Sequence, residues 1–331
     1  MAAQLEFATA QKSGSQMMKI GIGINAKGVH EAIALAQRVE QLGFHAAWMT
    51  SGGGGDPMPQ LAAIALKTER MALGTSIVQT FPRHPLILAQ EAYVLAQLAP
   101  GRFRLGIGPS HRPMMEALGF SFSAPLAHLE EYVTILRALF ETGKADFKGR
   151  HLSAAASLPG PVEMPVMIGA LRANAFEFAG RLTDGAITWL CPAAFIRDVA
   201  LPAMRRGAEG ARRPVPPLIA HAPVCVTGDA QALRAAVRET IMNIRLPFYQ
   251  HMLRDAGFPE AMEGKWSDRL IDECVIWGDA AKVARRLEAL AATGAAELLL
   301  RPIALERDPS PLAGDPEGSV EQTLSAIAAR R

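Results

Sequence analysis

Short apolar runs alternate with amphipathic stretches from Lys19 to the end of the chain. Lys19–Ile24 (KIGIGI) reads as a strand. Val29–Leu42 reads as a helix, with apolar positions at helical spacing and Gly43 to end it. The same alternation predicts strands at His45–Met49, Met71–Val78, Arg102–Gly106, Val166–Gly169, Gly185–Leu190, Leu218–Val226 and Glu297–Arg301. Helical patterns fall between them at Pro57–Lys67, Pro85–Leu98, His128–Phe140, Arg172–Leu182, Ala193–Ala208, from Asp229 onward and at Ala280–Ala292. Ser319–Ala329 closes the chain as a last helix. Pro85 sits in a first turn, where a missing N–H costs least.

Eight strands, each followed by helical sequence, imply a parallel sheet. Eight such units fit a closed (β/α)₈ TIM barrel of the α/β class better than an open, doubly wound sheet. Two connections exceed the roughly 2–6 residues usual for such loops. One follows strand four, from Gly108 to Pro165, and one follows strand seven, from Thr227 to Ala296. Long insertions in barrels commonly cover the mouth where the active site lies. Residues 1–17, rich in Gln, Ala and Ser, read as a flexible arm before a single domain over 18–331.

Composition narrows the class. Half of the 331 residues are hydrophobic and 20% are charged, enough for a large core. The 34 basic and 32 acidic side chains nearly cancel and form no basic stripe, so nucleic acid is excluded as a partner. No apolar run approaches the ~20 residues of a membrane span, and no signal-peptide core opens the chain. The expected compartment is therefore the cytoplasm. Cys191, Cys225 and Cys274 are far apart in sequence, which predicts buried thiols and neither a disulfide framework nor a metal site.

Three blocks carry candidate chemistry. Gly101–Arg112 (GRFRLGIGPSHR) runs a strand into a turn with Gly106 and Gly108, where backbone can approach a ligand and free N–H groups can hold an anion. It lacks the third glycine of a dinucleotide fingerprint. In Pro165–Asp184 a strand ends at Gly169 and a helix starts near Arg172. The N–H groups of Gly169–Arg172 would form an anion site at a helix N-terminus, or else an ordinary turn with a solvated Arg. Gly74–Pro85 (GTSIVQTFPRHP) places Arg83 and His84 on a mouth loop, where His84 would alternatively cap the next helix.

The order and spacing of LGTSIVQTFPRHPLILAQEAYVLAQLAPGRFRLGIGPSHR, PVMIGALRANAFEFAGRLTDGAITW and GFHAAW resemble the bacterial-luciferase-like superfamily. That group includes FMN-dependent monooxygenases and oxidoreductases using the deazaflavin F-420. The likeness covers nearly the whole chain from Met18, and the RHP plus GPSH pattern looks like a branch assigned to F-420. The resemblance implies an F-420- or FMN-dependent oxidoreductase. Such an enzyme moves a hydride to or from a small organic substrate, or oxygenates it. It implies phosphate held at Gly108, Pro109 and Ser110 and at Gly169, Ala170, Leu171 and Arg172. It also implies a non-proline cis peptide at Ser76–Ile77 behind the cofactor ring, and a homodimer.

The chain also departs from the pattern. After strand two, Ser51 and Gly52 stand where many F-420 members carry an acid and often a His, and the acid is delayed to Asp56. The run Gly52–Gly55 reads as a flexible loop. His111 stands where sugar-oxidising relatives have a carboxylate. An imidazole of ordinary pKa ~6.5 can donate or accept a proton there, or simply contact the phosphate or ribityl chain. Trp48 and Trp189, at the ends of strands two and six, are candidates for the substrate pocket. Trp266, Trp277 and Leu246–Met252 fall in the second insertion, at the mouth or a subunit interface. Arg83, Arg104, Arg112 and Arg172 are candidates to meet an anionic cofactor tail. Two rivals stand beside the enzyme reading: a barrel that binds cofactor without turnover, and a phosphate-binding barrel enzyme without redox chemistry.

Overall fold

The computed structural model describes residues 18–51, 55–305 and 318–330. The arm over 1–17 and most of the glycine run, 52–54, lie outside the described residues. Strands β1 (Ile20–Gly23), β2 (Ala46–Met49), β3 (Ala72–Thr75), β4 (Val78–Gln79) and β5 (Phe103–Gly108) come first. A hairpin of β6 (Lys144–Lys148) and β7 (Ser153–Ser157) follows, then β8 (Val166–Gly169), β9 (Gly185–Ile187), β10 (Leu218–Val226), β11 (Ile276–Gly278) and β12 (Glu297–Pro302). The parallel order β12-β1-β2-β3-β5-β8-β9-β10 closes through β10–β12, so the eight predicted strands form the barrel.

Helices α1 (Val29–Gln41), α2 (Pro57–Ala65), α3 (Pro85–Leu98), α4 (Arg112–Ala117), α5 (Pro125–Thr142), α6 (Ala173–Leu182), α7 (Ala193–Phe195) and α8 (Leu201–Gly210) follow the chain around the barrel. The later ones are α9 (Ala230–Thr240), α10 (Pro247–Asp255), α11 (Asp268–Cys274), α12 (Ala280–Ala291) and α13 (Ser319–Ala328). In α1 the buried positions are Ala32, Leu35, Ala36 and Val39, one stripe at helical spacing, and Gly43 at φ +79° turns the chain out. Side chains cap the starts: Asp56 accepts from Met58 N–H at 2.9 Å and Asp229 from Ala232 N–H at 2.8 Å.

Three local differences from the pattern have physical causes. The third strand breaks at Ser76–Ile77, and β4 resumes pairing with β5 through Val78↔Ile107. The sixth strand ends at Ile187, and Leu190 takes a left-handed φ of 60°. The helix over Ala193–Ala208 is interrupted by a π turn at Ile196–Ala200, just before Pro202, which has no N–H to continue the ladder. The first insertion holds α4, α5 and the antiparallel β6–β7 hairpin. The second holds α9 to α12 and β11, which pairs beside β10.

Candidate active site

Strand alternation sorts the barrel interior into layers. Trp48, Met167, Ile187, Ile219 and Leu299 pack together inside the sheet with Ala46. Two residues further along each strand lies the mouth: Thr50, Gly169, Trp189, His221 and Arg301, joined by Gly23 and Gly108. Glycine therefore occupies three of these inward positions, on β1, β5 and β8.

The floor is built around Ile77. The Ser76–Ile77 peptide is cis, at the bond the resemblance pointed to. Thr50 Oγ1 donates to Ser76 O at 2.7 Å and accepts from Ile77 N–H at 3.1 Å, while Ser51 N–H donates to Ile77 O at 3.0 Å. These bonds fix the turn. A Cβ on Gly108 would meet Ile77 side-chain carbons at 3.2 Å, and one on Gly169 would meet them at 3.3 Å. Ile77 thus packs against two strand ends that have no side chains of their own. A cleft of about 370 Å³ opens beside it, lined by Ser51, Asp56, Gln79, Arg83 and Leu118 among others.

The two expected anion turns meet this floor. In Gly108–Ser110, Pro109 has no N–H, so donors come from Ser110 onward. Ser110 is left-handed at φ 63°, and Gln79 Nε2 donates to its Oγ at 3.3 Å. In Gly169–Arg172 the Ala170 N–H is already committed to Ile187 O at 2.9 Å, which removes one predicted donor. Arg172 is the N-cap of α6 without a side-chain cap, and its guanidinium lies 3.7 Å from Asp255. The first N–H groups of α6 have no intrahelical acceptors, as at any helix start.

His111 follows the first turn directly and begins α4. Its ring lies 5.3 Å from Tyr249 and 6.0 Å from Phe248, both on α10, so the two insertions meet over the mouth. Phe122 of the first insertion also faces Phe248, at 6.3 Å. Burial pushes the His111 imidazole down to about 4, and its Nδ1 is buried without a partner. Burial thus holds the ring neutral at pH 7.

Several candidates leave the site. Trp48 was expected in the substrate pocket. Its side chain is fully buried in the barrel interior, donating from Nε1 to Glu297 at 2.9 Å under the Arg104 guanidinium. It lies within β2 rather than beyond it, so it has no surface to offer a substrate. Arg104 holds Glu297 through two bonds, at 2.7 and 3.3 Å, near the opposite end of the barrel, which removes it from any cofactor tail. Arg83 pairs with Asp56 and with Glu91, and Arg112 pairs with Glu116. His84 caps α3, accepting from Leu86 N–H at 3.2 Å, the structural alternative. Trp266 is buried and donates to Ile241 O at 2.7 Å.

Trp189 stays at the mouth, with its ring 4.2 Å from that of His221 and the Arg301 guanidinium 5.7 Å away. Sequence reading missed His221 and Arg301. The signal was present: each stands two residues beyond an inward apolar residue, Ile219 or Leu299, at a strand end where a polar group is out of register with the core.

The family described as luciferase-like monooxygenase matches residues 7–297. The chain belongs to this family. Among curated luciferase-like relatives, an F420-dependent glucose-6-phosphate dehydrogenase of Nakamurella multipartita is 32% identical over 203 residues, 56% of this chain and 60% of that protein. The chain spans 53% to 66% of the length of the curated relatives it matches. An F420-dependent secondary alcohol dehydrogenase, solved with an F420-acetone adduct, superposes with a TM-score of 0.75 at 19% identity, over 94% of this chain and 98% of that one. The FMN-bound oxygenating constituent of 3,6-diketocamphane monooxygenase from Pseudomonas putida gives 0.70 at 17%, over 94% and 97%. At these identities the structures share the fold.

Proposed function

We propose that the protein is a flavin-type oxidoreductase acting on a small organic substrate, with F-420 as its cofactor and FMN as the second reading. The observation that carries this is the floor of the mouth. Gly108 and Gly169 leave it free of side chains, and Ile77 supports it from the cis turn. A flat ring fits such a floor, and no flexible side chain must move to admit it. The F-420 reading is favoured by the names of the curated relatives at 30% identity or more; the FMN reading shares the same floor and anion turns.

The bound cofactor supplies the two-electron chemistry. The chain's own residues do the rest. The Ser110 N–H and hydroxyl and the first turn of α6 bind phosphate, and Arg172 adds charge there. Ile77, packed against Gly108 and Gly169, would support the ring. The α4 and α10 insertions, meeting at His111 and Tyr249, exclude water. His111, neutral and with Nδ1 unpartnered, accepts a hydrogen bond from the substrate at that atom.

The test is His111→Gln, assayed with F-420 and a panel of alcohols, aldehydes and acids. The expected result is unchanged cofactor affinity with turnover lowered about a hundredfold or more. Lost affinity at normal turnover would assign His111 to the phosphate or ribityl chain instead.

The protein is further proposed to be a cytoplasmic homodimer. Ile87 and Val94, seven residues apart on α3, are 48% and 50% exposed, and Leu66 at the end of α2 is 67% exposed. Light scattering should give twice 35.4 kDa. Cys191, Cys225 and Cys274 are all buried, as suits a reducing compartment. Among the described residues no helix is long and apolar enough to cross a membrane.

A further inference from the structure

We infer that Arg301, with His221 and Trp189, forms a subsite in the barrel mouth for a carboxylate group on the substrate. The inference rests on the cofactor reading above, which fills the Gly108–Gly169 side and leaves the Arg301 side to the substrate.

Strand β12 contains its own control. It points two charges or their partners into the barrel, Glu297 near one end and Arg301 at the mouth. At the closed end the arrangement is complete. Glu297 takes two bonds from Arg104 and one from Trp48. At the mouth, Arg301 has no acid within ion-pair reach among the described residues. Arg301 is half-buried, and the loss of water around its guanidinium lowers its pKa with no carboxylate opposing the shift. A cation partly withdrawn from water with no acid beside it is costly, which favours an anionic ligand at the open side of the guanidinium.

Its neighbours fit an anion. His221 is buried, its Nε2 has no partner, and burial together with Arg301 holds its pKa well below the ordinary value. The pair thus offers the fixed donor fork of a guanidinium beside a neutral imidazole. Trp189 lies against both, with an apolar face for the body of the ligand. Leu190, held left-handed at φ 60° with its N–H on His221 O at 3.3 Å, fixes the backbone that carries Trp189.

The position separates this site from the phosphate turns. Around the closed sheet, β12 is four strands from β5 either way, by β1, β2 and β3 or by β10, β9 and β8. Arg301 therefore stands across the mouth from Gly108–Ser110. A planar carboxylate on a small body meets the fork, the imidazole and the indole together.

The experiment uses benzoate and propionate against their neutral amides, titrated calorimetrically into the whole protein, alone and with F-420 bound. Each acid should bind saturably and at least tenfold more tightly than its amide. Arg301→Gln should abolish that preference, Arg301→Lys should keep part of it, and F-420 affinity should stay within threefold of wild type. Arg301→Met should raise Tm or leave it unchanged, because it removes an unpaired charge; a Tm lowered by several degrees would mark Arg301 as a structural residue and overturn the proposal. So would acids that bind no better than amides, a preference that survives Arg301→Gln, or a loss of F-420 affinity in that variant. Failure of wild type to bind F-420 or FMN, with the acid preference intact, would sink the cofactor reading and leave this subsite standing.

Discussion

Ile77 sits where two glycines make room for it, and the contacts at 3.2 and 3.3 Å show how little room remains. Gly169→Val would push Ile77 into the space the ring needs. Overpacking of this kind costs ~1–3 kcal/mol, so F-420 affinity should fall about tenfold or more while Tm moves by a few degrees. Cofactor titration beside a melting curve checks this, and a variant with full affinity would separate Gly169 from the ring. At this scale Gly108, Gly169 and the cis bond were legible through the family resemblance that their blocks carry. Trp48 was not. A tryptophan near a strand end looks the same in sequence whether it closes the core or lines a pocket. The acid that claims its N–H, Glu297, is 249 residues away.

The elements differ in how loudly the sequence announces them. The barrel strands are continuous apolar runs because both faces are buried, and each was readable. The β6–β7 hairpin was not, since KADFK and SAAAS are short and mostly exposed. Its turn is held from a distance, by Glu131 accepting from Arg150, His151 and Leu152 N–H at 2.7 to 2.8 Å. The break between β3 and β4 is likewise held from a distance, by Thr50 and Ser51 just past β2. Long-range pairing also sets the energetics of β12. Glu297→Gln would leave the Arg104 guanidinium without its acid inside the barrel. Removing one partner of a buried pair costs ~3–5 kcal/mol, and a urea midpoint well below wild type is the expected result. An unchanged midpoint would mean that the pair contributes little.

For the whole molecule, charge is nearly balanced and pH acts through buried histidines. Burial holds His111 and His128 down to about 4, below the ordinary 6.5. The unfolded chain therefore binds protons between pH 6.5 and 4 that the folded chain refuses. Stability from these groups is fully present above 6.5 and is lost as pH falls toward 4. Tm should be nearly flat at neutral pH and decline across that window. His128→Phe keeps the ring stacked at 4.1 Å on Phe81 and should make the decline shallower; an equal slope would exclude His128 as a cause. The cofactor is decided at the mouth itself, where glycines from β5 and β8 leave a floor for a flat ring. The most direct measurement is titration of the cofactor-free protein with F-420 and with FMN, oxidised and reduced, for wild type and Gly169→Val. Saturable binding to wild type is expected, tighter for F-420 and weakened by Gly169→Val. Absence of binding for both cofactors, or binding indifferent to Gly169→Val, would contradict it.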